Sequence, residues 1–373
     1  MKNVNNNHFV IIAGEPSGDF HGSKIIANIK TLNPLVSFSG LGGPLMKQEG
    51  LVSLESINKL AVMGFGEVLK NLFFFLKLEK LILTHISNYN PEKIILIDYP
   101  GFNLRLAKKI KAFKNIPIIY YISPQLWAWK EKRIINIKKN IDKMIVVFPF
   151  EKEWYQNHDM SVKYFGHPLV ENLKEGVVNN IPNVPTIALC PGSRLQEIKK
   201  HMPVFANLIK QQSQINHKIK FIIIKAPGIS AHIIKKYIKN IDIKIENQSI
   251  LNTFFSIDLA IVSSGTATLE CAVTLTPMVV IYKMSSLSWF ITKLLINSKF
   301  ASIINIIAGE KIIPELLQSQ CTAKNIIHQI NVLLMPEKYT QTQNHYMNIL
   351  KPLNKKHAYK KASEYIINFK NVS

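Results

Sequence analysis

Short apolar runs rich in β-branched residues recur along this chain, each followed by a longer, Lys-decorated stretch with amphipathic, helix-like character. Phe9–Ala13, Lys93–Ile97, Ile116–Ile122 and Lys143–Phe148 form one series; Thr186–Leu189, Lys220–Ile224, Ile241–Ile245, Leu259–Val262 and Met278–Tyr282 form a second. Such alternation is the rhythm of a parallel sheet, whose neighbouring strands need a crossover of helical length. The fold expected is therefore α/β, with two doubly wound Rossmann-like domains facing a cleft. A length of 373 residues, beyond one compact core of usual size, agrees. Val177–Pro185, polar and punctuated by proline, reads as the linker. The expected domains are residues 1–178 and 183–350, with 351–373, which holds the basic amphipathic segment Lys356–Phe369, packing back on one of them.

The net charge of +22, from 46 Lys and Arg against 24 Asp and Glu, predicts attraction to polyanions: nucleic acid, anionic lipid headgroups or phosphorylated small substrates. Charge alone does not choose among them, and lysines scattered through Ile- and Asn-rich sequence also suit a plain solvated surface. Cys190, Cys271 and Cys321 are isolated and odd in number, which fits a reduced cytosolic compartment better than a disulfide framework. The N-terminus lacks signal-peptide architecture. The most apolar stretches, Leu69–Leu83 and Met284–Ile307, are interrupted by polar residues before reaching the roughly 18 to 20 clean positions a spanning helix needs.

Ligands of open α/β sheets bind where strands run into helices, so those loops carry the candidate chemistry. Gly14-Glu15-Pro16-Ser17-Gly18-Asp19 follows the first strand. Its glycines permit a positive φ or close approach to a ligand, and Ser17 and Asp19 can cap the helix suggested by His21–Ile29; a well-capped turn explains the same residues equally well. Lys93–Ile97 ends at Asp98-Tyr99-Pro100-Gly101-Phe102-Asn103. An aspartate leaving a buried strand is partly desolvated and poised to take a proton, or else an Asx-turn residue. Ser123-Pro124-Gln125-Leu126-Trp127-Ala128-Trp129 sets two indoles beside polar groups, as for a sugar or acyl-chain contact or a plain core.

In the second half, Ser263-Ser264-Gly265-Thr266 and the residues to Glu270 expose amides at a helix start, where a phosphate is favoured. Glu270 could accept from ribose hydroxyls or serve as a first-turn carboxylate. Arg194, after Cys190-Pro191-Gly192-Ser193, could grip a diphosphate bidentately, so an anion is expected between these two loops. Gly40-Leu41-Gly42-Gly43 lacks the third glycine and the acid of a dinucleotide fingerprint, and His167 has no partner at metal spacing. Val68–Lys80 reads either as an interfacial helix with Lys70, Lys77 and Lys80 at headgroups, each worth about 1 kcal/mol, or as core packing; Trp289–Phe300 is equally ambiguous.

Taken in order, these segments resemble the lipid-A-disaccharide synthase family of inverting glycosyltransferases. The matching set is Gly14–Asp19, Met63–Val68, Ile97–Asn103, Ser123–Trp129, Gly166–Leu169, Leu189–Arg194, Ser264–Glu270 and Pro314–Gln318. The resemblance implies a GT-B fold and transfer of 2,3-diacylglucosamine from UDP-2,3-diacylglucosamine to the 6-hydroxyl of 2,3-diacylglucosamine 1-phosphate, giving a β-1,6 disaccharide and UDP. It implies no metal or other cofactor. Asp98 matches the proposed base and Arg194 the nucleotide side. Glu15, Ser17, Asp19, Gln125, Trp127, Ser193, Ser264, Gly265, Thr266, Glu270 and Asn305 become substrate-binding candidates. After Asn305 the pattern departs, with Ala308 before Gly309 and Lys311 where arginine is common. The resemblance also implies a cytoplasmic protein peripheral on the inner membrane face, without a nucleic-acid partner; a homodimer stays open. Another UDP-sugar transferase or epimerase of the same fold, or a basic lipid-binding module, would share the charge; the module leaves the acid and the anion loops idle.

Overall fold

The computed structural model describes residues 7–56, 72–171, 181–215, 219–226, 228–239, 241–247, 253, 256–285, 289 and 298–369. The segment Met63–Val68, the linker residues Val177–Asn180 and most of Trp289–Phe300 lie outside them. Contacts divide the chain into two units, Met1–Glu171 with Lys355–Ser373, and Asn172–Asn354.

The first unit is built on strands β1 (His8–Ala13), β2 (Ser37–Gly42), β3 (Leu51–Ser56), β4 (Lys93–Ile97), β5 (Ile118–Tyr121), β6 (Lys143–Val146) and β7 (Lys163–Tyr164). All pair in parallel, in the order β3-β2-β1-β4-β5-β6-β7. Between them run α1 (Pro16–Leu32), α2 (Pro44–Gln48), α3 (Leu72–Tyr89), α4 (Pro100–Phe113), α5 (Ile134–Asn140) and α6 (Pro149–Gln156). Alternate strand residues feed two cores. Val10, Ile12, Ile94, Leu96 and Ile118 join Ile82, Leu106 and Ile137 from α3, α4 and α5 on one face. Phe9, Ile11, Ile95, Ile97 and Ile119 join Ile25 and Ile29 of α1 on the other. Both faces of the central strands are thus apolar, which is why these strands read as continuous hydrophobic runs.

The second unit repeats the plan with β8 (Thr186–Cys190), β9 (Lys220–Ile224), β10 (Lys244–Glu246), β11 (Leu259–Ser263), β12 (Met278–Tyr282) and β13 (Glu315–Leu317), ordered β10-β9-β8-β11-β12-β13 and again parallel. Its helices are α7 (Leu195–Ile215), α8 (Ala231–Lys235), α9 (Thr266–Val273), α10 (Ile303–Ala308), α11 (Ala323–Leu333) and α12 (Pro336–Leu350). The last helix, α13 (Ala358–Asn368), packs on the first unit: Ala362 and Ile366 enter the α1 core, and the Tyr359 hydroxyl lies 2.8 Å from His21 Nδ1.

Several strands escape sequence periodicity. Gly40-Leu41-Gly42, weighed above as a loop motif, lies inside β2. Its small residues follow from crowding, since a Cβ on Gly40 would overlap the Ile11 carbonyl of the neighbouring strand. The strand expected at Ile241–Ile245 is displaced to Lys244–Glu246. Of the phenylalanines in α3, Phe75 is buried, Phe74 packs partly against the core and Phe73 is 82% exposed, so the core-packing reading holds for two of the three. Among the described residues no helix is long and apolar enough to cross a membrane.

Candidate active site

In each sheet the strand order reverses once, between β1 and β4 and between β8 and β11. That reversal opens a crevice at the carboxyl ends of the strands, where doubly wound sheets take their ligands. The loops singled out from sequence flank these two points: Gly14–Asp19 and Asp98–Asn103 in the first unit, Cys190–Arg194 and Ser264–Glu270 in the second.

In the first unit β4 and β5 end in residues whose backbone is left-handed although none is glycine: Asp98 (φ 44°), Tyr99 (φ 51°) and Ile122 (φ 65°). Each such residue costs on the order of 1 kcal/mol or more, and the surrounding structure must hold it. The Tyr120 hydroxyl and the Asn103 side-chain amide do so, donating to the Asp98 carbonyl at 2.5 and 2.7 Å. The kink turns α4 away and leaves Asp98 half-buried at the sheet edge. The Tyr99 ring lies on Gly14, where any Cβ would collide with it. Burial and the nearby Glu15 carboxylate push the Tyr99 hydroxyl up to about 12. Glu15, Asp98 and Tyr99 are thereby gathered at the switch point.

The Gly14–Asp19 loop differs from expectation in two respects. Neither Gly14 nor Gly18 has a positive φ, so the glycines serve close packing. Helix α1 starts at Pro16 with Glu15 as its N-cap and no side-chain cap. Asp19 instead caps α2: its buried carboxylate accepts from the amides of Gly43 (2.8 Å), Leu45 (3.1 Å) and Met46 (3.0 Å). It is therefore engaged by three backbone amides, a structural role the sequence did not suggest. Ser17 is half-buried beside it in sequence. Across the sheet edge Gln125 is exposed and Trp127 half-buried, its ring meeting Phe150 edge-on with centroids 5.1 Å apart.

In the second unit the α7 start is already occupied. Glu197 Oε2 accepts from the Ser193 and Arg194 amides at 3.0 and 3.3 Å. Gly192, at φ 113°, is required because a Cβ there would overlap that carboxylate. The anion expected at this loop is thus not met by these amides; what remains for it is the exposed Arg194 guanidinium, 3.6 Å from Glu197 Oε1. At the other loop, Gly265 N-caps α9 without any side-chain cap, and Gly265 and Thr266 are exposed. The Ser264 hydroxyl donates to the Ala301 carbonyl at 2.6 Å. Glu270 takes no capping role. Its Oε2 is buried without a hydrogen-bond partner, and desolvation raises the carboxyl to about 7. It lies near Cys190, whose thiol is pushed up by burial first and by this carboxylate second.

Asn305, expected as a substrate contact, is fully buried with its amide fully engaged. Its Nδ2 donates to the Ile313 carbonyl and Glu315 Oε1, and its Oδ1 accepts from the Ile312 and Ile313 amides, all between 2.9 and 3.0 Å. It is a latch for the loop before β13, and Glu315 completes it by accepting from the Ala301 and Ser302 amides.

Sequence reasoning assigned no role to four supporting residues, of which Glu197 is described above. Besides Glu315, His201 is fully buried and receives the Lys283 amide on Nε2 at 3.0 Å, so its Nδ1 carries the proton donated to the Pro191 carbonyl at 2.8 Å. It pins the Pro191 turn to the end of β12. Glu151 does the same between two loops of the first unit. The available signals were positional: Glu197 and His201 stand four apart on one helix face, and Glu151 sits at the third position of α6, the place of a capping-box carboxylate.

A family model described as Lipid-A-disaccharide synthetase matches residues 9–368. The Lipid-A-disaccharide synthase 1 of Legionella pneumophila (strain Philadelphia 1) is 40% identical over 338 residues, covering 88% of either chain. Among solved structures, a UDP-GlcNAc 2-epimerase from Neisseria meningitidis bound to UDP-GlcNAc superposes with a TM-score of 0.63 at 10% identity, over 96% of this chain and 98% of the other. The calicheamicin glycosyltransferase CalG4 gives 0.61 at 12% identity, over 98% and 99%. At such identities these two likenesses concern the fold alone, which is that of GT-B glycosyltransferases.

Proposed function

The chain belongs to the lipid-A-disaccharide synthase family and is a glycosyltransferase, and from that premise we propose that it joins two acylated glucosamines. The donor is UDP-2,3-diacylglucosamine and the acceptor the 6-hydroxyl of 2,3-diacylglucosamine 1-phosphate. Asp98 takes the hydroxyl proton as the acceptor oxygen bonds to the anomeric carbon. The bond from that carbon to the UDP oxygen breaks, its electron pair stays on the diphosphate, and the configuration inverts. Catalysis requires charge stabilisation where charge develops, on the leaving diphosphate. Arg194 and the uncapped start of α9 are assigned to it, with the Glu270 carboxyl accepting from ribose hydroxyls.

The observation that carries this assignment is the buried, unpartnered Glu270 Oε2 beside an uncapped helix start at the switch point of the second unit. An orphaned buried acceptor costs about 1–3 kcal/mol, which a ligand donor repays on binding. Purified protein supplied with both lipids in dispersing detergent should release UDP and form the disaccharide. Failure to form it, with the lipids demonstrably dispersed, sinks the proposal.

Both lipids are membrane components, and the proposal includes peripheral residence at the cytoplasmic face of the inner membrane. Exposed Phe73 and Leu76, with Lys77 and Lys80 on the same helix, support it. Co-sedimentation with anionic vesicles should weaken in Phe73→Ser and with added salt; equal binding by the variant would move the contact elsewhere.

A further inference from the structure

Glu151 is 1% exposed, yet its two carboxylate oxygens face two different loops. Oε1 accepts from the Ser123 hydroxyl at 2.8 Å, at the start of the loop after β5. Oε2 accepts from the amides of Val147 (3.1 Å) and Phe148 (3.0 Å), in the loop after β6. The buried Trp127 indole N–H closes no regular hydrogen bond, and it also acts on this carboxylate in the direction that favours ionisation. A carboxylate has about four acceptor sites and no proton to give, which matches this surrounding set of donors.

Protonation breaks that match. One oxygen becomes a donor, the Ser123 hydroxyl has to turn round to accept, and neither the amides nor the indole can reciprocate. The titratable groups facing Glu151 are Tyr155 on its own helix and Tyr164 on β7. Burial pushes both phenols up, so they stay neutral near pH 7 and offer the carboxylate no compensating charge. Burial likewise raises Glu151 to about 7, against the opposing pull of Ser123, the two amides and Trp127. The ionised state is therefore gained and lost across neutral pH.

We propose that Glu151 is a positioning residue for the Ser123–Trp129 loop, fixing that loop for the acceptor when ionised and loosening it when protonated. The inference rests on the functional reading above, which places the acceptor with the first unit. Gln125 and Trp127 are borne on this loop at the same sheet edge as Asp98, since β5 pairs with β4 and Tyr120 donates to the Asp98 carbonyl. Glu151 acts through the loop and touches no reacting atom.

The decisive experiment pairs kinetics with tryptophan fluorescence between pH 6 and 8. In the wild type the acceptor KM should rise as pH falls below the Glu151 midpoint, by up to about tenfold per unit if only the ionised form binds, while the donor KM follows no such titration. Glu151→Gln copies the shape of the protonated acid; its acceptor KM should be high and independent of pH in this window. Intrinsic fluorescence should titrate with a midpoint near 7 in the wild type and lose that transition in both Glu151→Gln and Trp127→Phe. Should Glu151→Gln not fold, Ser123→Ala removes one hydrogen bond to the carboxylate and should move the midpoint upward. A transition that survives in Glu151→Gln, or stays in place in Ser123→Ala, overturns the proposal; so does an acceptor KM flat with pH beside a fluorescence transition that behaves as described. A protein that makes no disaccharide at all overturns the functional reading, and the fluorescence titration still decides whether Glu151 controls the loop.

Discussion

The two units end their central strands by opposite devices. In the first, β4 and β5 run into left-handed Asp98, Tyr99 and Ile122, so the kink projects side chains at the edge. In the second, the turns after β8 and β11 pass through Gly192 (φ 113°) and Gly265 (φ 153°), and the backbone itself comes to the surface. Their buried carboxyls differ in the same sense. Burial holds both Glu151 and Glu270 up to about 7, but Glu151 is surrounded by protein donors whereas Glu270 Oε2 has none. A satisfied buried acid organises its own protein, whereas an unsatisfied one calls for a partner from outside the protein's own groups. The proposed function uses this difference, drawing its base from the first unit and its receptor for phosphate and ribose from the second.

Asp98→Asn puts the greatest strain on that division. Removing a general base should lower turnover by about 10²–10⁴-fold. Affinity for UDP, measured by calorimetry, should stay within about twofold because the nucleotide is assigned to the other unit. Loss of both together would break the comparison.

Glu270→Gln tests the receptor side. Forfeiting hydrogen bonds to a charged acceptor, worth about 1.5–3 kcal/mol, should weaken UDP binding at least tenfold at pH 8. The same change has a stability signature. The folded carboxyl sits near 7, above its ordinary 4.5, so the fold binds the proton more tightly than the unfolded chain. Stability is lost as pH rises from about 4.5 to 7 and is level above that. Glutamine does not titrate, so its melting temperature relative to wild type should climb between pH 5 and pH 8. A constant difference would mean that the site is solvated and the orphaned oxygen has no energetic weight.

Asp19 and Asn305 sharpen the contrast by showing what a polar residue engaged by its own protein looks like in each unit. Asp19→Ala strands three backbone amides and Asn305→Ala strands two amides and a carbonyl. Each should cost about 2–4 kcal/mol in urea denaturation. Their effect on UDP affinity should be secondary; an Asn305→Ala variant of unchanged stability but lost UDP binding would restore it to the substrate side.

The parallel sheets and their edge loops were legible because strands buried on both faces leave uninterrupted runs such as Lys93–Ile97. β2 was not, since Gly40 and Gly42, where a Cβ would meet Ile11 of β1 or Leu51 and Met46, carry no strand signature. Among candidate site residues, glycine and acid at a strand end marked the right places, but sequence could not tell which polar groups the protein consumes itself. Asp19 and Asp98 look alike in the chain; only tertiary contacts reveal that one is sequestered by the amides of α2. Glu151 and His201 escaped because the partners that give them their wider role, Ser123 for one and Pro191 and Lys283 for the other, lie on other loops.

Arg194 should give the smallest change in stability and so marks the boundary of the comparison. Its side chain is 58% exposed and its ion pair with Glu197, at 3.6 Å, is the screened surface kind. Glu197 keeps its hydrogen bonds to the Ser193 and Arg194 backbone amides whatever side chain stands at 194. Arg194→Gln should therefore leave the unfolding free energy from urea denaturation within about 0.5 kcal/mol of wild type, while UDP titration shows reduced affinity and a weaker dependence on salt. A clear fall in the midpoint would mean that the guanidinium, and not Glu197 alone, holds the Pro191–Arg194 turn, and the second unit's edge would then be organised by a side chain, as the first unit's is.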